Sequence, residues 1–259
     1  MFIGLGLGLV QQAIFGGVGD NALNDYGTPF FLADFIESEY RNNGPLSSSF
    51  TALTGLTFTR ASTGYAQTQA GVLVPFASGA PRITDKGLLI EGARTNLCLR
   101  SQEFDNAAWT KTRSSVTADA AIAPDGTQTA DKLIENTATA NDHFVSQNFT
   151  GVDNTVYTGS VFVKAAERTW ARVNLTTQAG GIRGAYINLS TGALGTISGA
   201  TTATVTALAD GWYRVSVAAD IGAAGAGEAL QVYIATADGT ISYDGNGTSG
   251  IYIWGAQIE

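Results

Sequence analysis

Gly87 to Lys111 reads GLLIEGARTNLCLRSQEFDNAAWTK, and the chain changes character on either side of it. Before it come a glycine-rich apolar N-terminus, one helix-like segment and a loop-rich, mildly basic stretch; after it the chain reads as short alternating strands divided by turn residues. Leu88-Leu89-Ile90-Glu91 has the pattern of a buried strand, and Thr95 to Arg100 that of the next one. Between them Gly92-Ala93-Arg94 is expected to make a tight connection, with Gly92 at positive φ. The stretch reads as the joint between a part that attaches and a part that presents.

Downstream, period-two segments recur: Asp131–Glu135, His143–Gln147, Val156–Lys164, Thr169–Leu175, Gly184–Leu189, Thr202–Leu208, Trp212–Val217, Leu230–Ala235 and Ile251–Ile258. Asp210-Gly211 is a hairpin signal, because this pair tolerates the positive φ values of a tight turn. About eight such strands, antiparallel by their short connections, make two packed sheets. No segment after residue 110 supplies the crossover helices that a parallel sheet needs. The predicted fold class is therefore all-β, an antiparallel β-sandwich of jelly-roll type, preceded by an N-terminal attachment segment with one short helix. Its expected parts are residues 1–50 (attachment and oligomerisation), 51–100 (a β-rich collar packed on the sandwich) and 101–259 (the sandwich).

Upstream, Met1 to Gly19 is apolar but lacks Lys and Arg near its start and is broken by Gln11-Gln12 and by glycines, so it fits neither a secretory signal nor a membrane-spanning helix. Two readings stand side by side. Phe2, Ile3, Leu5, Leu7 and Leu9 dock onto a larger assembly, or Ile3 to Leu9 form the first strand of the chain's own domain. Thr28 and Pro29 carry helix-start chemistry, and Phe31, Leu32, Phe35 and Ile36 follow at helical spacing up to Tyr40. This amphipathic helix is expected either at a subunit contact or on its own domain. Pro45 to Ser49 reads as a linker, and Leu56–Arg60 and Gly71–Phe76 as strands.

The chain of 259 residues carries a net charge of −8. The three parts contribute −4, +3 and −7, from one basic and five acidic groups, five and two, and eight and fifteen. This balance disfavours nucleic acid, whose phosphates draw on clustered Lys and Arg. Cys98 is the single cysteine and reads as a small buried apolar residue. His143 is the single histidine, which excludes sites with paired His ligands and leaves one candidate base for a Ser-His-Asp arrangement.

Five segments occur in order: Leu56–Ser62, Gly87–Leu97, Ser101–Lys111, Gly211–Ser216 and Ile251–Glu259. Together they resemble the receptor-binding or spike-type fibre proteins of tailed bacteriophages, and residues 101–259 are similar to the jelly rolls of bacterial carbohydrate-binding modules. The resemblance covers residues 56–259 and identifies a scaffold more than a ligand. It implies a protein at the virion surface, a homotrimer, joined to other virion proteins (capsid, portal or tail) through residues 1–50 and facing a host cell-surface glycan, with no cofactor and no membrane insertion. It also implies a structural calcium between an acidic residue near the jelly-roll start, here Glu103, and one in the last strand; Gly255-Ala256-Gln257 offers no such residue, so no metal is expected.

Sugar binding on such a scaffold needs aromatic rings to stack on C–H faces and amide or charged groups for hydroxyls. Trp170, Arg172 and Asn174 share one strand face, Tyr186 and Asn188 another, Gln231 and Tyr233 a third. These seven are the candidate ligand-binding residues, with packing at the sandwich rim as the alternative. Trp212 and Trp254 lie in the framework segments and are expected in the core. Two rival functions are a capsid decoration protein without glycan binding, and a depolymerase drawing paired carboxylates from Asp119, Asp125, Asp131, Glu135 or Glu167. No recognisable carboxylate spacing occurs, and no enzymatic activity is expected.

Overall fold

The computed structural model describes residues 31–35, 38–42, 47–52, 58–92, 94–176, 181–199, 202–222 and 227–259. The proposed apolar arm, with Phe2, Ile3, Leu5, Leu7 and Leu9, lies outside them, as do Thr28, Pro29 and Ile36.

Three hairpins precede the main body. They are β1 (Phe31–Asp34) with β2 (Glu39–Asn42), β3 (Gly64–Gln67) with β4 (Leu73–Phe76), and β5 (Arg82–Thr84) with β6 (Gly87–Leu89). The first corrects the expected helix. Phe31 and Leu32 lie in β1, and Tyr40 pairs with Ala33 on one side and with Ser47 on the other, through hydrogen bonds of 2.9 and 2.8 Å. The Phe35, Tyr40 and Phe50 rings pack together with centroids 5.0 to 5.5 Å apart. Short helices depend on tertiary burial, and here the aromatic cluster and the two-sided pairing of Tyr40 favour the strand. The expected linker is likewise tied down at Ser47.

The main body is a sandwich of antiparallel strands. Its strands are β7 (Thr110–Thr112), β8 (Ser114–Ala121), β9 (Ala130–Glu135), β10 (Asn141–Asn148), β11 (Val156–Ala165), β12 (Trp170–Thr176), β13 (Ile182–Asn188), β14 (Leu194–Ser198), β15 (Thr202–Ala207), β16 (Trp212–Asp220), β17 (Ala229–Ala235), β18 (Ser242–Tyr243) and β19 (Gly250–Ile258). The front sheet runs β14-β13-β12-β17-β10, with β18 and β7 both pairing on the far side of β10; the back sheet runs β15-β16-β11-β19-β9-β8. Alternation sends one set of side chains inward from each sheet, and these form one core: Val145, Val173, Ile187, Val232 and Ile234 from the front, Leu133, Val161, Val215, Ile251 and Ile253 from the back. Burying each such side chain contributes about 1.5–3 kcal/mol. The Asp210-Gly211 turn has both residues at positive φ, 57° and 75°, as its sequence requires.

A second, smaller core forms where the collar meets the outer face of the back sheet. Trp212, Trp254 and Phe162 are buried there with Ala123 and Ala130, and Leu73 and Leu208 pack against them. The expectation that both tryptophans are core residues holds, in this second layer. Tyr65 meets Trp254 edge-on at 5.9 Å, and the Gln67 amide donates to the Ala207 carbonyl at 2.9 Å.

The stretch between collar and sandwich departs from its reading. The β6 strand ends at Leu89, and Leu89 and Ile90 are exposed rather than buried. Gly92 is not in the left-handed region; Arg100, at φ 52°, is. Thr95 to Arg100 forms no strand, because the Asn96 side chain does the pairing: its Nδ2 donates to the Ala256 carbonyl and its Oδ1 accepts from Ile258 N–H, both at 3.0 Å. Cys98 is buried, as expected, but in this loop. Phe58 to Arg60 is also unpaired as a strand, while the Arg60 guanidinium binds the carbonyls of Phe76, Ala77 and Ala80. Leu56 and Thr57 lie outside the described residues.

Candidate functional site

The strand order of the front sheet brings the candidate ligand residues together. Since Ala171, Val173 and Leu175 of β12, Ala185 and Ile187 of β13, and Leu230, Val232 and Ile234 of β17 face the core, their strand neighbours face outward. That outer set is Trp170, Arg172 and Asn174 with Tyr186, Asn188, Gln231 and Tyr233. The registers interlock them: Arg172 lies opposite Tyr186 on one side and Tyr233 on the other, Trp170 opposite Asn188, and Asn174 opposite Gln231. Three faces read separately in the sequence are one surface.

Its floor is polar and poorly satisfied. Arg172 is 7% exposed and makes a single hydrogen bond, Nη1 to Tyr186 Oη at 3.4 Å, while its guanidinium carbon sits 4.9 Å from the Tyr186 ring centroid. Its Nε is closed off from solvent and without a partner. Asn174 is wholly buried, with its amide against the Tyr233 hydroxyl. Buried polar groups are normally satisfied, so the partnerless Arg172 Nε marks this floor out. Around them the Tyr233 hydroxyl donates to Gln231 Oε1 at 2.9 Å. Burial, with the nearby Asp142 carboxylate, pushes the Tyr233 phenol up to about 12, so it stays a neutral donor.

Four further contributors were not singled out from the sequence. Phe144 of β10 stacks on Tyr233 at 4.4 Å and 24°. Arg113 holds Asp142 at the end of the face, with Nε donating to the Asp142 carbonyl at 2.7 Å and Nη2 to its carboxylate. Gly184 lies beneath the Asn174 amide, where a Cβ would come within 1.9 Å of Oδ1. Phe144 sits between inward-facing His143 and Val145, and Asp142 just before His143, so alternation alone marks them as outward; what the sequence does not say is that β10 lies beside β17.

At the rim, Gly195 lets Asp238 and the Trp170 ring approach β14, and Asp238 accepts from Thr196 N–H at 2.7 Å and its hydroxyl at 3.0 Å.

The rival chemistry lies elsewhere. His143 is fully buried on the inward side, hydrogen-bonded at Nδ1 to the Arg113 carbonyl and without a partner at Nε2, so no serine engages it. Asp131 and Glu135 point inward from β9, Asp119 lies on neighbouring β8, Glu167 pairs with Lys132, and Asp125 accepts from Tyr65 and Thr127. None of the five is on the front outer face. Glu103 is exposed and pairs with Arg100 at 3.3 Å. The Asp105 and Asn106 carbonyls accept from the Lys111 ammonium, each at 2.6 Å. No group of three His, Cys, Asp or Glu suited to a metal occurs among the described residues. A separate cleft of about 360 Å³ opens between the collar and the back sheet, lined among others by Lys86, Leu88, Phe162 and Arg214, and contains none of the seven candidate residues.

A scan against protein families finds no match. No curated protein matches in sequence. Among solved structures, similarity is found to tailspike protein 4 of bacteriophage CBA120, at 13% identity and a TM-score of 0.39 over 63% of this chain and 21% of that one. A CBM22 xylan-binding domain from Paenibacillus barcinonensis aligns at 17% identity and a TM-score of 0.35, covering 66% of this chain and 97% of the domain. A mannan-recognising carbohydrate-binding module, TmCBM27, aligns at 12% identity and 0.34, over 63% and 93%. The chain thus spans about a fifth of the tailspike chain. Likenesses with TM-scores under 0.5 establish nothing about ligand or assembly.

Proposed function

We propose that this chain is a non-enzymatic glycan-binding protein that uses the outer face of its front sheet, and that it serves as a fibre or spike subunit on a bacteriophage particle. The observation that carries the glycan reading is the convergence of the part-exposed Trp170 and Phe144 with the poorly satisfied Arg172 guanidinium on one face, packed over the buried Tyr186 and Tyr233. The open parts of the two rings offer flat faces to sugar C–H groups, and the guanidinium supplies donors for hydroxyls. The placement of the candidate carboxylates away from this face supports binding over cleavage. The virion role is supported by the five ordered segments and by the apolar N-terminus of residues 1–19.

The test is a glycan array of host-surface polysaccharides probed with the full-length chain and with Trp170→Ala. Trp170 is only half-buried, so the variant is expected to fold normally and lose most of the binding. Binding that survives with unchanged affinity, or reducing ends released on incubation, would contradict the proposal. Antibody labelling of intact particles tests the virion role.

A further inference from the structure

Among the described residues, the acidic chain places no counter-charge within ion-pair distance of the arginine at the centre of the front face. It has 22 acidic groups against 14 basic ones, and Arg82, Arg100, Arg113 and Arg168 each pair with a carboxylate. Arg172, like Arg60, Arg183 and Arg214, has no carboxylate within ion-pair distance among the described residues, and of these four it is the one that is nine-tenths buried, between Tyr186 and Tyr233. A desolvated guanidinium with a phenol as its single hydrogen-bond partner is an unstable arrangement unless something else supplies negative charge. Asp142, a carboxylate at the end of this face, is already paired with Arg113, so that end of the face does not repel an incoming anion.

From this we infer that the sugar bound by the front face is acidic, and that a uronic-acid carboxylate lies against the Arg172 guanidinium. The inference rests on the glycan-binding reading and narrows it to one chemical class. Arg–carboxylate contact is charge-assisted and directional, and hence discriminates an acid from the corresponding neutral sugar.

Calorimetric titration of the full-length chain decides it, using pairs of oligosaccharides that differ only in the carboxyl group: oligogalacturonate, oligoglucuronate and oligomannuronate, each beside its carboxyl-reduced form. At least one acid is expected to bind about tenfold or more tightly than its reduced partner, as loss of a charged hydrogen bond implies. Arg172→Gln should abolish that preference and Arg172→Lys should keep part of it. Equal binding of acid and reduced forms overturns the inference and leaves the glycan face standing. Binding of neither member of any pair overturns both. A sulfated oligosaccharide bound while every uronic acid is ignored would overturn the carboxylate assignment. The wild-type comparison decides the question even where a variant fails to fold.

Discussion

Arg168 grips Glu135 at both carboxylate oxygens, Nε to Oε2 at 2.9 Å and Nη2 to Oε1 at 2.6 Å, and so fastens the β11–β12 connection to β9. The Glu135 side chain is wholly buried, and it also accepts from the Tyr243 hydroxyl at 2.8 Å and from Asn246 N–H at 3.0 Å. Burial opposes its charge, but the bonds from Arg168, Asn246 and Tyr243 outweigh it and hold the carboxyl below the usual range. A carboxylate depressed in the folded state adds stability above its unfolded pKa, near about 4.3, and that stability is lost as pH falls through the folded value.

Arg168→Met leaves this carboxylate buried with two donors instead of four. At pH 7 it should cost about 3 kcal/mol. The deficit should shrink as pH falls, because protonating Glu135 relieves the unpaired charge. Urea unfolding from pH 4 to pH 8 measures both; a deficit independent of pH would show that lost packing, not charge, is responsible.

Gly184 is predicted to be irreplaceable while Asn174 is present. Gly184→Ala puts a methyl within 1.9 Å of Asn174 Oδ1 and 2.7 Å of the Val173 carbonyl, and should cost about 1–3 kcal/mol and weaken glycan binding. Adding Asn174→Ala should recover part of the stability, the carbonyl contact keeping the rest. Thermal melts and titrations of the two variants separate packing from recognition.

Asn96→Ala removes two of the bonds that tie the collar's exit to β19, along with the bond from Cys98 N–H, and should destabilise the chain by about 1–2 kcal/mol. Hydrogen exchange should rise at Leu97, whose N–H donates to the Ile258 carbonyl at 2.8 Å, and at Ile258.

Cys98 is 7% exposed, and burial pushes its thiol up to about 12. Thiol reagents at pH 8 should label the native chain very slowly and the urea-unfolded chain at once. Rapid native labelling would mean that the loop around Cys98 opens.

The parts of the fold legible in the sequence were those with strong alternation. Val156–Lys164, Trp212–Val217 and Ile251–Ile258 were read as strands and lie in β11, β16 and β19, central strands whose inward positions are Val and Ile. β8, β14 and β18 went unread. They lie at sheet edges and need backbone partners more than an apolar face, so SSVTADAA and LGTIS carry little pattern. The helix over Phe31 to Tyr40 was misread because apolar spacing over ten residues fits two structures, and the Tyr40–Ser47 pairing that decides between them is not local.

The sequence by itself determined the all-β class and which side chains share a strand face, because alternation is a property of a few consecutive residues. Only the tertiary structure decided that Arg172 stands between Tyr186 and Tyr233, that Phe144 stacks beside them, and that among the described residues no carboxylate reaches the guanidinium. Sheet order arises from hydrogen bonds between segments far apart in the chain, whose pairing depends on how both sheets bury their inner faces together. A strand carries its own faces in its sequence, but not its neighbours.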